Sequence, residues 1–277
     1  MENTKDLLCL AVGAAVEAGR HIMAVYDAPE SQWEVERKAD DSPLTRADRE
    51  AHAAIAARLA GTGLPLLSEE GRHQPYDERS AWGRLWVVDP LDGTKEFLKR
   101  NGEFTVNIAL VDEGRPVAGV VYVPATATLY LGAEGLGAYR LADYRDEATP
   151  AWAGLTDAAR RLPLAEGRTD YVVVVSRSHL SAETEAFIDD ARRVHADVRT
   201  VPSGSSIKIC LVAEGTADVY PRLAPTMEWD TAAGHAVVRA AGGDIVEAGS
   251  GATLRYNKRD LTNPYFIVRR DANAPQS

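Results

Sequence analysis

The run Asp89-Pro90-Leu91-Asp92-Gly93-Thr94, set directly behind the apolar strand Leu85-Trp86-Val87-Val88, constrains this chain more than any other feature. Pro90 and Leu91 provide a bend that can aim the carboxylates of Asp89 and Asp92 at one point, while Gly93 lets the backbone turn tightly. Two anions so close repel unless a cation lies between them. A hard divalent ion such as Mg2+ neutralises such a pair through oxygen ligands, often one or two carboxylates beside substrate phosphates. The same residues can also form nothing more than a polar turn, with Asp89 capping a helix from Thr94 to Leu98. The choice between these readings depends on what other segments supply.

Three do supply candidates. Glu69-Glu70 follows the strand Leu64-Pro65-Leu66-Leu67 as Asp89 follows its own strand, which suggests one shared sheet edge. Adjacent glutamates on an extended chain point different ways, so one can enter a metal site while Glu70 stands behind it. Asp230 is read as opening a helix, with Trp229 as an apolar wall, and a helix start also favours bound anions. Asp41-Ser42-Pro43-Leu44-Thr45-Arg46-Ala47-Asp48 is a helix entrance with Thr45 as cap, in which a carboxylate beside a hydroxyl can orient and deprotonate a water molecule.

Apolar residues recur at a helical period from Leu7 to Val25, and an alanine-rich helix runs from about Arg46 to Leu59, stopped by Gly61-Thr62-Gly63. Short strands follow at Leu64–Leu67, Leu85–Val88, Thr105–Val111, Val117–Val123 and Thr128–Gly132, which predicts a sheet with helices on one side. Residues 143–170, rich in charge, Ala, Gly and Pro, separate an N-terminal α+β half, 1–142, from a C-terminal α/β half, 171–277. There the strands Tyr171–Val175 and Ala217–Tyr220 alternate with helices over Glu183–His195, Ser206–Glu214 and Asp230–Ala241, the pattern of a sheet covered on both faces. Gly132, Gly135 and Gly137 lack the spacing of a nucleotide loop and predict a hairpin.

The net charge of −10 argues against a nucleic acid polymer as partner, because phosphate backbones are held by clustered Lys and Arg. Cys9 and Cys210 sit in apolar helical segments without metal-ligand spacing, which assigns both to core packing. No uninterrupted apolar run approaches the length of a membrane span, so the expected location is cytoplasmic, with or without peripheral attachment to the inner membrane.

Taken together, Asp41-Ser42-Pro43-Leu44-Thr45-x-x-Asp48, Glu69-Glu70, Asp89-Pro90-Leu91-Asp92-Gly93-Thr94 and Trp229-Asp230-x-Ala232-Ala233-Gly234 resemble the motifs of the inositol monophosphatase superfamily, in the family's order. Within it the chain looks most like the 3'(2'),5'-bisphosphate nucleotidase branch, on Thr94-Lys95-Glu96-Phe97, on Asn101-Gly102-Glu103-Phe104-Thr105-Val106-Asn107-Ile108-Ala109-Leu110, on Ser176-Arg177-Ser178-His179 and on Gly204-Ser205-Ser206-x-Lys208. The likeness covers nearly the whole chain, the charged region from Asp143 to Arg168 excepted.

The resemblance implies an α+β fold layered as an α-β-α-β-α sandwich, and two or three Mg2+ ions per active site. It implies that Glu69, Asp89 and the main-chain carbonyl of Leu91 hold one ion, and that Asp89, Asp92 and Asp230 hold a second. Asp48 and Thr94 would activate the attacking water, with Thr45 supporting Asp48, and the amides of Gly93 and Thr94 would approach the scissile phosphate. Two cations about 4 Å apart can stabilise the incoming and departing oxygens of an in-line displacement. The match places Ser205, Lys208 and Arg222 near a second phosphate or the ribose, and His179 near the base. Substrate contact therefore falls on Glu69, Leu91, Asp92, Gly93, Thr94, His179, Ser205, Lys208, Arg222 and Asp230.

The implied activity is removal of the 3'-phosphate from adenosine 3',5'-bisphosphate, and from its 5'-phosphosulfate analogue, in sulfur metabolism, with lithium sensitivity, by a monomer or homodimer. An inositol monophosphatase of the same fold is the alternative. A catalytically silent phosphate-binding protein would lack a ligand carboxylate or the water-activating pair, and none is missing here.

Overall fold

The structure is a computed structural model that describes residues 3–38, 43–72, 74–164, 168–177 and 181–270. Helices α1 (Thr4–Tyr26) and α2 (Arg46–Leu59) flank a short antiparallel pair, β1 (Glu36–Arg37) and β2 (Pro43–Leu44). Then come β3 (Leu66–Ser68), α3 (Tyr76–Arg79), β4 (Arg84–Asp92), α4 (Thr94–Leu98), β5 (Thr105–Asp112), β6 (Arg115–Val123), β7 (Thr128–Ala133), β8 (Gly137–Leu141), α5 (Trp152–Ala158) and β9 (Arg160–Arg161). The remainder is β10 (Tyr171–Ser176), α6 (Ala182–Val194), β11 (Val198–Ser203), α7 (Ile207–Glu214), β12 (Val219–Arg222), α8 (Glu228–Ala240), β13 (Gly243–Glu247) and β14 (Phe266–Arg270).

A seven-stranded sheet runs in simple order from β3 to β9, parallel only between β3 and β4. A five-stranded sheet has the order β11-β10-β12-β14-β13, with β10 parallel to β11 and β12 and the other pairs antiparallel. β7 and β8 form the hairpin expected at Gly135 and Gly137.

The strands of the first sheet are apolar at nearly every position because both faces are covered. On β4, Trp86 and Val88 pack into the core beneath α1 and α2, whereas Leu85 and Val87 pack into the core beneath α7 and α8. Helices on one side of this sheet were the expectation, and the structure corrects it: α8, from the C-terminal part of the chain, covers the second face. Glycine permits the approach. A Cβ at Gly119 would stand 2.3 Å from the carbonyl oxygen of Ala233, and one at Gly132 would stand 2.9 Å from the Cα of Val237.

In β10 the alternation repeats, Val172 and Val174 facing the α7/α8 layer and Val173 and Val175 meeting Ile188 of α6. The stack is therefore α1/α2, seven strands, α7/α8, five strands, α6, the layered α-β-α-β-α sandwich of an α+β protein. Residues 143–164 include α5, whose Leu155 enters the first core, and β9, which pairs with β8. Cys9 and Cys210 are buried free thiols. α1 is long and apolar enough to cross a membrane by composition, but most of its apolar residues, among them Leu7, Leu8, Val12, Val16, Ile22 and Val25, are core.

Candidate active site

The first sheet ends its regular pairing at the Asp-Pro-Leu-Asp run. Asp89 pairs with Asn107 and Asp92 with Thr105, so β4 spends one residue more than β5 across this step, a bulge. Pro90 has no N–H to give the ladder, which is why the irregularity falls there. The bend is locked locally, since the Leu91 amide donates to Asp89 Oδ1 at 3.0 Å. Gly93 follows with φ of 92°, and a Cβ there would stand 3.1 Å from the Glu103 carbonyl and 3.2 Å from the Ser205 Cβ. Asp89 does not cap the helix after it: α4 starts from Gly93 with no side-chain cap.

Asp230 arrives from the far side. α8 begins at Glu228 rather than at Asp230, because Asp230 occupies the third helical position and its Oδ2 accepts the Met227 amide at 2.8 Å. This fixes one carboxylate oxygen and leaves the other available. Ligand atoms of Asp89, Asp92 and Asp230 lie within 4.8 Å of one another. Asp92 Oδ2 accepts from the Ser206 hydroxyl at 2.9 Å and from Asn107 Nδ2 at 3.4 Å. Glu69 stands close enough for its charge to raise the Asp89 carboxyl, and its Oε1 takes the Lys38 ammonium at 2.7 Å, with Glu70 bound to the same ammonium.

Burial and then the neighbouring charges of Glu69, Asp92 and Asp230 hold the Asp89 carboxyl well above the usual range. Burial followed by the charge of Asp92 pushes Asp230 up to about 8. Of Glu69, Asp89, Asp92 and Asp230 only Glu69 pairs with the Lys38 ammonium, which Glu70 shares, so among the described residues the cluster is short of positive charge. An all-oxygen donor set without His or Cys fits a hard divalent ion and not a soft one.

Asp48 is buried, and burial outweighs its hydrogen bonds in raising its carboxyl to about 7. Thr45 gives its backbone N–H to Asp48 Oδ2 at 2.7 Å and its hydroxyl to the same oxygen at 2.5 Å, completing a capping box on α2. The other oxygen, Oδ1, takes the Thr94 hydroxyl at 3.3 Å, which also reaches the Leu91 carbonyl at 3.3 Å. A carboxylate held on one oxygen and shared with a hydroxyl on the other is built for proton transfer.

A cleft of about 510 Å³ connects these groups to the second sheet. Glu69, Asp89, Leu91, Asp92, Gly93, Thr94 and Asp230 line it, as do Ser205, Lys208 and Arg222. Lys208, 7% exposed, donates to the Ser205 carbonyl at 2.7 Å and lies over the Tyr220 ring, and burial lowers its ammonium to about 8. Arg222 donates to Ser176 Oγ at 2.9 Å and to the Pro225 carbonyl at 3.2 Å. The Ser205 hydroxyl and Arg222 Nε are buried with no protein partner among the described residues.

His179 lies outside the described residues, as do Asp41 and Ser42. Trp229 is not a wall of the cleft. It is 5% exposed and packs in the core between the sheets. Three residues that shape the site carried no assignment from sequence: Lys38, Asn107 and Ser206. Ser206 Oγ lies 2.7 Å from the Asp230 carbonyl, so one hydroxyl ties Asp92 to α8. Its signal was the motif Gly204-Ser205-Ser206, and that of Asn107 was an amide inside an otherwise apolar strand.

Residues 3–276 match the sequence profile of the inositol monophosphatase family. The chain is 44% identical over 257 residues to the 3'(2'),5'-bisphosphate nucleotidases CysQ of Salmonella typhimurium and of Escherichia coli K12, covering 92% of this chain and 96% of each relative. Its structure superposes on the crystal structure of CysQ from Bacteroides thetaiotaomicron with a TM-score of 0.87, at 54% identity, covering 94% of this chain and 96% of the other. The Thermotoga maritima IMPase shares the fold at a TM-score of 0.71, 22% identity and coverage of 95% and 92%.

Proposed function

The chain belongs to the inositol monophosphatase family, and from that premise we propose that it hydrolyses the 3'-phosphate of adenosine 3',5'-bisphosphate, and of 3'-phosphoadenosine 5'-phosphosulfate, with Mg2+ held by the acidic cluster. Enzymes of the family use divalent metal ions on small phosphate substrates. Glu69, Asp89 and the Leu91 carbonyl would hold one ion, and Asp89, Asp92 and Asp230 a second. Such ions supply charge neutralisation at the phosphate and a more acidic bound water. The chain's own groups do the rest. Asp48 takes the proton of the attacking water while Thr94 orients it, and Thr45 holds Asp48 in place.

One observation carries the choice of substrate. Lys208 and Arg222 line the same cleft as the carboxylates but belong to α7 and β12, on the opposite wall. Two cations facing an acidic cluster suit a ligand with two separated anionic groups, one for the metals and one for the cations. The names of the relatives favour the same substrate class. The cytoplasm is the location that goes with this reading.

Phosphate release from a panel of nucleotide bisphosphates, inositol phosphates and fructose bisphosphate tests this, with Mg2+ present, absent and challenged by lithium. Replacing Lys208 or Arg222 by Ala removes a charge-assisted contact and should raise KM for the bisphosphate about tenfold or more. Slow turnover of small sugar phosphates should stay nearly unchanged. An equal loss on both substrate types would remove these two residues from recognition of the distal phosphate.

A further inference from the structure

We infer that His235 is a positioning residue for Asp230, acting through a buried chain of hydroxyls that anchors the first turn of α8; the inference rests on the reading that Asp230 holds a metal ion. His235 is fully buried on α8, five residues after Asp230, and neither the cleft nor the proposed proton transfer uses it.

Its Nε2 meets Asp244 Oδ1 at 2.7 Å and its Nδ1 meets the Tyr256 hydroxyl at 2.8 Å. An ionised carboxylate only accepts, so the ring proton sits on Nε2 and Nδ1 accepts from Tyr256. Asp244 is held in turn by the Thr253 hydroxyl at 2.6 Å and the Ile245 amide at 2.9 Å, so the imidazole cannot swing.

From Tyr256 the contacts run toward the cleft. With its own proton on His235 Nδ1, the Tyr256 oxygen accepts from Thr231 Oγ1 at 3.3 Å, a hydroxyl shared with the Glu228 carbonyl at 3.2 Å, and Thr231 lines the cleft beside Asp230. Asn263 Nδ2 donates to Thr231 Oγ1 at 3.1 Å and to the Met227 carbonyl at 2.7 Å, while the Met227 amide donates to Asp230 Oδ2. Tyr256, Thr231 and Asn263 are buried, where losing a partner leaves the other group unsatisfied. The chain ends on Asp230 Oδ2, so it sets the direction in which the other oxygen, Oδ1, points.

Calorimetric titration of the full-length protein with Mn2+, in the absence of substrate, tests the role. Tyr256→Phe keeps the ring and deletes the link, and should weaken Mn2+ binding about tenfold. Thr231→Val should do the same, whereas Thr231→Ser, which keeps the hydroxyl, should bind as the wild type does. Tyr130→Phe deletes a comparable buried hydroxyl, one that donates to Glu214 at 2.7 Å, and should leave Mn2+ affinity unchanged even where its melting temperature falls. Unaltered affinity in Tyr256→Phe, or an equal loss in Tyr130→Phe, overturns the positioning role. Should Tyr256→Phe not fold, His235→Gln, which removes the ring that takes the Tyr256 proton but keeps a donor for Asp244, decides instead, and unaltered Mn2+ affinity in it overturns the positioning role. A wild-type protein that takes up no Mn2+ overturns the metal reading as well, and with it this one.

Discussion

Asp89 sits almost out of reach of water among Glu69, Asp92 and Asp230, and a protein tolerates such an arrangement only when the charges are neutralised by protons or by a cation. This has a consequence for stability without metal. Carboxyl groups whose folded pKa lies above the unfolded value bind more protons in the folded state, so their contribution to stability is present at low pH and is lost as pH rises. The window opens near the ordinary Asp value of 3.8 and extends to about 8, where Asp230 titrates. Metal-free protein should therefore melt at falling temperature from pH 4 to pH 8, and added Mg2+ should raise the melting temperature more at pH 8 than at pH 5. Asp92→Asn removes one of the repelling charges: turnover should be abolished, the fold should survive, and the pH dependence without metal should flatten. Phosphate release checks the turnover and a melting series in EDTA and in Mg2+ checks the rest, and an equal metal effect at the two pH values would deny the cluster its charge. The principal carboxylates were legible from sequence because turn chemistry and charge marked them. Lys38 was not, since one lysine in a polar stretch carries no pattern, and only the folded chain brings its ammonium to Glu69 and Glu70.

Among the elements, α8 does two things at once: it delivers Asp230 to the cleft and fills the space between the sheets. Its approach depends on Gly119 and Gly132 in the first sheet, where added side chains would meet helix backbone. Gly119→Ala should cost about 3 kcal/mol in urea unfolding, the upper end of what overpacking costs. Gly135→Ala, at a hairpin position with φ of 76° and open space around it, should cost only about 1 kcal/mol for the left-handed backbone. Costs in the reverse order would mean that α8 does not press on β6. Helical periodicity made α1 readable to within three residues, and α2 was read to the residue from its alanine-rich run and the glycines that stop it. The edge strand β11 escaped because Val198–Ser203 is mostly solvent-facing, with Pro202 in it, and so shows neither alternation nor an apolar run. The onset of α8 was placed two residues late because an acidic residue in the first turn looks the same whether it caps from outside or, as Asp230 does, reaches back from the third position.

At the scale of the whole molecule, the two sheets matter less for their own order than for the cleft between their edges. One wall brings β4 and the turn after β3, with Glu69, Asp89 and Asp92. The other brings α7 and β12, with Lys208 and Arg222, and the first turn of α8 closes the end. Neither wall alone could hold a ligand with two separated phosphates. The layering was legible only through resemblance, because the strand pattern of the first half was read as a sheet with helices on one side and carries no sign that α8, far along the chain, covers the other. The account stands or falls on the acidic wall being a metal cage, and anomalous diffraction from crystals soaked in Mn2+ tests that most directly. The account predicts one peak bounded by Asp89, Asp92 and Asp230 and another between Glu69, Asp89 and the Leu91 carbonyl, with the Lys38 ammonium displaced from Glu69. Crystals that show Mn2+ elsewhere and none at these carboxylates would contradict it.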